Sequence, residues 1–195
     1  MNMARHSKNQ RVGCGVRGAT SARTLDARLK RVRLFVCDVD GVLTDASIYI
    51  GPRDEFKRFN ILDGLGLRML QHEGVRVGWV SRRVSVATTR RAKELKVDFL
   101  SQHNTACKVE AVEAVLKKTG LAWDEICFVG DDVVDLGALR RAGVAVAVAN
   151  AITEVKAVAH YVTRQRGGEG AVREVAELIL RAQDRWERIV AEHSK

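Results

Sequence analysis

The chain has one proline, few aromatic residues, no paired C-x-x-C spacing and no apolar run near the length of a membrane span. With aromatics at 5% and aliphatics plentiful, it suits an α/β or α protein better than a β-sandwich. A bilayer-crossing helix takes roughly 20 consecutive apolar residues, so no membrane is expected as a partner. The amino terminus is basic and polar and lacks the apolar stretch of a secretory signal. The four cysteines are Cys14, Cys37, Cys107 and Cys127, and two of them fall inside apparent strands. They read as reduced thiols of a cytoplasmic protein.

A formal charge of +9 raises the question of a nucleic-acid partner until the charge is located. Residues 1–33 hold nine Lys or Arg against one acid, Asp26, and so carry +8 of that total. The high pI therefore describes a tail and not a basic binding face, and gives little support to nucleic-acid binding. Residues 1–23 lack hydrophobic periodicity and read as a basic disordered tail; 24–195 read as one domain, without internal repeats.

From Thr24 to Lys30 a short helix is expected, leading into a strand over Arg33 to Asp38. A hairpin follows: Ser47 to Ile50, a Gly-Pro-Arg-Asp turn at Gly51 to Asp54, then Glu55 to Asn60. Asp63-Gly64 introduces a helix from Leu65 to Glu73, stopped by Gly74. Strands and helices then alternate. Strands are expected at Val75 to Val80, Val97 to Leu100, Ile126 to Val129, Val144 to Val148 and Tyr161-Val162. Helices are expected at Val84 to Leu95, Thr105 to Lys118, Val133 to Ala142 and Ile152 to Ala159. After a Gly-Gly-Glu-Gly loop at Gly167 to Gly170, one last helix runs from Val172 past Trp186 to Val190. Such alternation predicts a Rossmann-like parallel sheet with helices on both faces, carrying a small hairpin after the first strand and no separate cap domain.

Acids gather where this sheet would bind ligands, outside the carboxyl ends of its strands. Asp38 and Asp40 end the first strand, in Leu34-Phe-Val-Cys-Asp-Val-Asp-Gly-Val-Leu-Thr-Asp45, and Asp131, Asp132 and Asp135 follow a later one. Converging carboxylates repel unless a cation neutralises them, and hard oxygen ligands suit Mg²⁺. Ser81 and Lys108, at other strand and helix ends, add groups that bind phosphate. Each has a plainer reading: Ser81 as a helix N-cap, Lys108 as a surface lysine, Asp132 and Asp135 as first-turn acids favoured by the helix dipole.

Asp38-Val39-Asp40-Gly41-Val42-Leu43-Thr44, Ser81, Lys108 and Gly130-Asp131-Asp132 through Asp135 resemble, in order, the four motifs of the haloacid dehalogenase superfamily of phosphotransferases. The hairpin, Asn60-Ile61-Leu62-Asp63-Gly64 and the segment from Tyr161 to Glu174 more narrowly resemble its 3-deoxy-D-manno-octulosonate 8-phosphate phosphatase branch. The resemblance covers residues 24 to 185. It implies that Asp38 is the nucleophile and Asp40 the general acid and base. It also implies that Ser81 and Lys108 hold the phosphoryl group, and that Mg²⁺ is bound by Asp38, the Asp40 carbonyl and Asp131. Asp132 and Asp135 would stand behind these, Asp135 orienting Lys108. Asn60, Asp63, Gly64, Arg68, Arg83 and Arg91 would meet the sugar acid. A homotetramer is implied as well, with one subunit's hairpin closing its neighbour's site and the glycine segment as a mobile cover. The pathway implied is that to the inner core of lipopolysaccharide.

Two positions depart from the pattern. Arg82 follows Ser81 where glycine is usual, and Glu169 stands where the late loop usually has arginine. They leave two alternatives open: a phosphatase of a related sialic-acid-type 9-phosphate, or a weakened member with a binding role.

Overall fold

The computed structural model describes residues 24–104 and 107–194. The expected tail with Cys14, and the expected helix start at Thr105, lie outside them. The elements run as α1 (24–29), β1 (Leu34–Cys37), β2 (Tyr49–Ile50), β3 (Glu55–Phe56), α2 (Ile61–His72), β4 (Arg76–Ser81), α3 (Val86–Glu94) and β5 (Phe99–Gln102). They continue as α4 (Lys108–Thr119), β6 (Ile126–Gly130), a 3₁₀ turn (Val133–Asp135), α5 (Leu136–Leu139), β7 (Val144–Ala147), α6 (Thr153–Val158), β8 (Tyr161–Val162), α7 (Ala171–Ala182) and α8 (Trp186–Glu192).

Six strands form a parallel sheet in the order β5-β4-β1-β6-β7-β8, and β2 and β3 form the expected antiparallel hairpin. From β1 the chain winds outward through β4 and β5, then crosses back to β6 on the other side of β1. That reversal opens a crevice at the carboxyl ends of β4, β1 and β6. Every residue of β1, β6 and β7 is buried. Covered on both faces, these strands read as unbroken apolar runs instead of alternating ones. Phe35, Trp79, Phe128, Leu34 and Ile126 fill the core. Gly66 lets α2 and α7 approach closely, since a Cβ there would press on Arg173 and Ala176.

Several boundaries differ from expectation: the strand expected over Glu55 to Asn60 ends at Phe56, that expected at Val97 to Leu100 is Phe99–Gln102, and the helix expected from Val84 starts at Val86. α2 begins at Ile61 and not Leu65, because the Asn60 side chain accepts from the Leu62 amide at 2.8 Å and caps the helix one turn earlier. The expected helix from Val133 to Ala142 is a 3₁₀ turn followed by the short α5, with Asp132 as cap. The C-terminal helix is broken between Ala182 and Trp186, where Asp184 has φ 56°. Trp186 then lies beneath the guanidinium groups of Arg173 and Arg181, at 5.3 and 4.9 Å. Among the described residues, no helix is long and apolar enough to cross a membrane.

Candidate active site

β1 pairs with β4 and β6 so that Cys37 is level with Trp79 and Val129. The Asp38 amide extends the ladder one residue, donating to the Val129 carbonyl at 3.0 Å. Asp38 thus leaves the sheet beside the ends of β4 and β6, which deliver Ser81 and Asp131. Past it the chain turns sharply, and the Val39 carbonyl accepts from the Leu43 and Thr44 amides at 2.9 and 3.1 Å. Gly41 makes that turn at φ 94°, and a Cβ there would collide with the Asp131 carboxylate. The glycine that closes the Asp-x-Asp-Gly run is therefore a steric requirement: only glycine combines this backbone conformation with so close a carboxylate.

Lys108 is the hub of the buried charges, with its residue 2% exposed. Its Nζ reaches Asp38 Oδ2 at 2.7 Å and Asp135 Oδ1 at 2.6 Å. Burial opposes its charge, but Asp38 and Asp135 outweigh burial and hold its pKa above the ordinary lysine value. Asp135 is saturated, because its second oxygen accepts from the Asp131 and Asp132 amides at 3.0 and 3.3 Å. Asp38 Oδ1 accepts from the Val39 amide at 2.7 Å. Burial, aided by Asp135 and resisted by Lys108, pushes the Asp38 pKa up to about 6.

Asp131 has no such support. Its Oδ1 is buried without a hydrogen-bond partner, and burial followed by the charges of Asp38 and Asp135 raises its pKa to about 7. Asp38, Asp131 and Asp135 each offer an oxygen within 4.8 Å of the others. Asp135 takes three contacts and Asp38 one on each oxygen, so the unpartnered Asp131 oxygen is the one most open to a hard cation, with Asp38 beside it. An orphaned carboxylate oxygen among like charges fits a divalent metal, which would satisfy the oxygen and remove the repulsion.

The plainer readings of Ser81 and Lys108 do not hold. The α3 N-cap is Ser85, whose side chain accepts from the Thr88 amide, whereas Ser81 is buried and turns its hydroxyl onto the Arg83 backbone. Lys108 is enclosed and not on the surface. Asp132 does cap a helical turn, accepting from the Val133 amide at 2.6 Å.

The residues expected around a sugar acid have partners within the chain. Asp63 is 1% exposed and accepts from the Arg173 amide at 2.8 Å, so it caps the start of α7 instead of facing a ligand. Burial raises its pKa to about 6 despite that bond. Gly64 makes room for Arg91, which pairs with Glu94 at 2.8 Å. Arg68 ties α2 to the end of α3 through the Leu95 carbonyl at 3.3 Å. Asn60, besides capping α2, reaches the Gly168 carbonyl at 3.5 Å. Arg83 forks onto the Glu55 carboxylate of the hairpin. The segment Gly167 to Gly170, expected as a mobile cover, is docked: Gly167, Gly168 and Gly170 are buried, and Gly168 donates to the Val42 carbonyl at 3.0 Å.

Two residues escaped the sequence reading. Asn150 accepts from the Gly167 amide at 2.7 Å and donates to the Gly41 carbonyl at 3.3 Å, joining the glycine segment to the turn that follows Asp38. Lys57, its side chain fully enclosed, holds Asp40 Oδ1 at 2.6 Å. The signal for Lys57 was present in the hairpin: Glu55, Lys57 and Phe59 alternate with exposed Phe56 and Arg58, so all three point inward.

The family model of haloacid dehalogenase-like hydrolases matches residues 79–175. The 3-deoxy-D-manno-octulosonate 8-phosphate phosphatase of Yersinia pestis is 39% identical over 161 residues, covering 82% of this chain and 86% of the relative. The chain belongs to the haloacid dehalogenase-like hydrolases, within that phosphatase branch. The Escherichia coli K12 enzyme of the same name is 38% identical, over 85% of this chain and 88% of its own. The Moraxella catarrhalis phosphatase, solved with magnesium, phosphate and KDO, superposes with a TM-score of 0.84 at 38% identity. That match covers 87% of this chain and 97% of the other. Departures at Arg82 and Glu169 lie outside the acid cluster. Arg82 is exposed, reaches the Asn104 carbonyl at 3.4 Å and needs no left-handed backbone. Glu169 is exposed.

Proposed function

We propose that this protein is a Mg²⁺-dependent phosphatase that releases inorganic phosphate from 3-deoxy-D-manno-octulosonate 8-phosphate in the cytoplasm, on the route to the lipopolysaccharide inner core. The observation that carries the reading is the orphaned Asp131 oxygen beside Asp38, in a family whose Moraxella catarrhalis member was solved with magnesium, phosphate and KDO.

Asp38 and Asp131, with the Asp40 carbonyl, would hold the metal, which when bound neutralises the charge of nucleophile and phosphoryl group together. An Asp38 oxygen attacks phosphorus, the bond from phosphorus to the sugar oxygen breaks, and Asp40 gives its proton to that oxygen. Asp40 then takes a proton from a water whose oxygen attacks the same phosphorus. The bond to Asp38 breaks, phosphate leaves, and both carboxyl groups regain their starting states. Ser81 and Lys108 bind the phosphoryl oxygens, and Asp135 keeps the ammonium aimed at them. Arg83, which now holds one carboxylate, has the planar fork a sugar carboxylate needs.

A homotetramer is part of the proposal, supported by apolar Tyr49, Ile50, Phe56, Val84 and Val86 exposed on and beside the hairpin. Turnover compared across the 8-phosphate, a sialic-acid-type 9-phosphate and an aryl phosphate tests the substrate. The highest kcat/KM is expected for the 8-phosphate, and equal values for all three would reject a sugar-acid enzyme. No release from any of them would favour a binding role.

A further inference from the structure

Asp40 makes two proton transfers in the proposed mechanism, and its carboxylate must be aimed for both. Its side chain is 23% exposed. Such an acid at a crevice mouth has several rotamers, and only some bring it to a leaving oxygen. Lys57 restricts that choice. Its ammonium, with a fully enclosed side chain, lies 2.6 Å from Asp40 Oδ1. The contact is an ion pair outside hydrogen-bond directions. On its other side the ammonium donates to Thr88 Oγ1 at 3.2 Å, and Thr88 is itself buried in the first turn of α3. A buried ammonium without a partner is strongly unfavourable, so neither end of this arrangement is free to drift.

The segment carrying Lys57 is fixed at three successive inward positions. Glu55 is forked by Arg83, Lys57 bridges Asp40 and Thr88, and Phe59 stacks on Trp79 with ring centroids 6.3 Å apart. The return arm of the hairpin is thus sewn to β4 and α3 of its own chain. We infer that Lys57 is a positioning residue, which places the Asp40 carboxylate for proton transfer and couples it to the hairpin arm. The inference rests on the phosphatase reading for its chemistry.

A positioning role predicts selectivity by leaving group. An alkyl oxygen needs the proton from Asp40 as its bond to phosphorus breaks, whereas a nitrophenyl oxygen departs readily as the anion. Departure of the leaving oxygen is read by kcat/KM, ahead of the hydrolysis that both substrates share, so Lys57→Met should lower kcat/KM for a simple alkyl phosphate, relative to 4-nitrophenyl phosphate, by roughly 10-fold or more, a share of the ~10²–10⁴-fold that general acid catalysis supplies. Lys57→Arg should recover part of the loss. Equal losses of kcat/KM on both substrates, leaving the alkyl-to-aryl ratio unchanged, would overturn the inference. If Lys57→Met fails to fold, Thr88→Val, which removes the second anchor and keeps the charge, must show the same selective loss, and an equal loss overturns it. A crystal structure of the folded variant supplies a readout independent of activity: the Asp40 carboxylate is expected to leave its position, and an unmoved carboxylate contradicts the role. Wild-type protein inactive on both phosphates would instead defeat the phosphatase reading and leave that structure to decide on Lys57.

Discussion

The acid cluster and the arginines expected around a sugar acid are built on opposite principles. Asp38, Asp131 and Asp135 leave or follow paired strands, so sheet register fixes them, and a single lysine and an orphaned oxygen record the charge they still need. Arg68, Arg83 and Arg91 sit on helix α2, a loop and helix α3, and each already has a carbonyl or carboxylate partner in the chain. The first region is held against its own electrostatics and the second is at rest. Function concentrates where the fold tolerates cost, whereas each of these arginines already has a partner for part of its guanidinium and no uncompensated charge.

Lys108→Met offers the hardest blow to that contrast. It leaves Asp38 and Asp135 facing each other in a dry site, and breaking a buried pair costs about 3–5 kcal/mol. The melting temperature of metal-free protein should fall by on the order of 10 °C. A loss no larger than that of an exposed lysine would show that the cluster is not strained. Arg83→Ala separates ligand binding from hairpin latching: KM for the sugar acid should rise roughly 10-fold with kcat nearly unchanged. An unmoved KM would confine Arg83 to Glu55.

Acidity gives a smaller and reversible test. Asp38 and Asp63, near 6, and Asp131, near 7, are all raised above the ordinary carboxyl value. The folded chain therefore holds protons that the unfolded chain has released, and stability is lost as pH rises through 6 to 7. His160, lowered first by burial, works the other way in the same window but is one group against three. Glu55 and Asp45, both lowered, act only in acid. Metal-free protein should melt higher at pH 5 than at pH 7.5, and Mg²⁺ should help most at the higher pH. Thermal melts with and without the ion check both. The least effect belongs to Arg68→Ala, expected to cost about 0.5–1.5 kcal/mol through the Leu95 carbonyl contact and to leave KM alone. A raised KM would return Arg68 to the substrate side.

How much was legible follows from the same contrast. Strand ends are visible in sequence because apolar runs stop on Asp-Gly or Gly-Asp-Asp, so Asp38, Asp40 and Asp131 could be gathered before any coordinates. The sheet was equally open, since β1, β6 and β7 are buried on both faces and read as continuous runs. Asp63 was misplaced because a sequence cannot show that α7 begins against α2, where its carboxylate becomes a cap. The C-terminal break was hidden because Asp184, a non-glycine residue at positive φ, leaves no glycine or proline to mark it. Lys57 is marked in sequence only by the inward alternation of Glu55, Lys57 and Phe59, a signal that the Gly-Pro turn beside it does not carry.

The central claim is that Asp38, beside a cation held with Asp131, breaks a phosphate ester. Phosphate release from 3-deoxy-D-manno-octulosonate 8-phosphate, measured for wild type and Asp38→Asn with Mg²⁺ and after chelation, tests it most directly. Turnover is expected only for wild type with Mg²⁺, with at least a ~10³-fold loss in Asp38→Asn. Release that survives both chelation and Asp38→Asn would contradict the account.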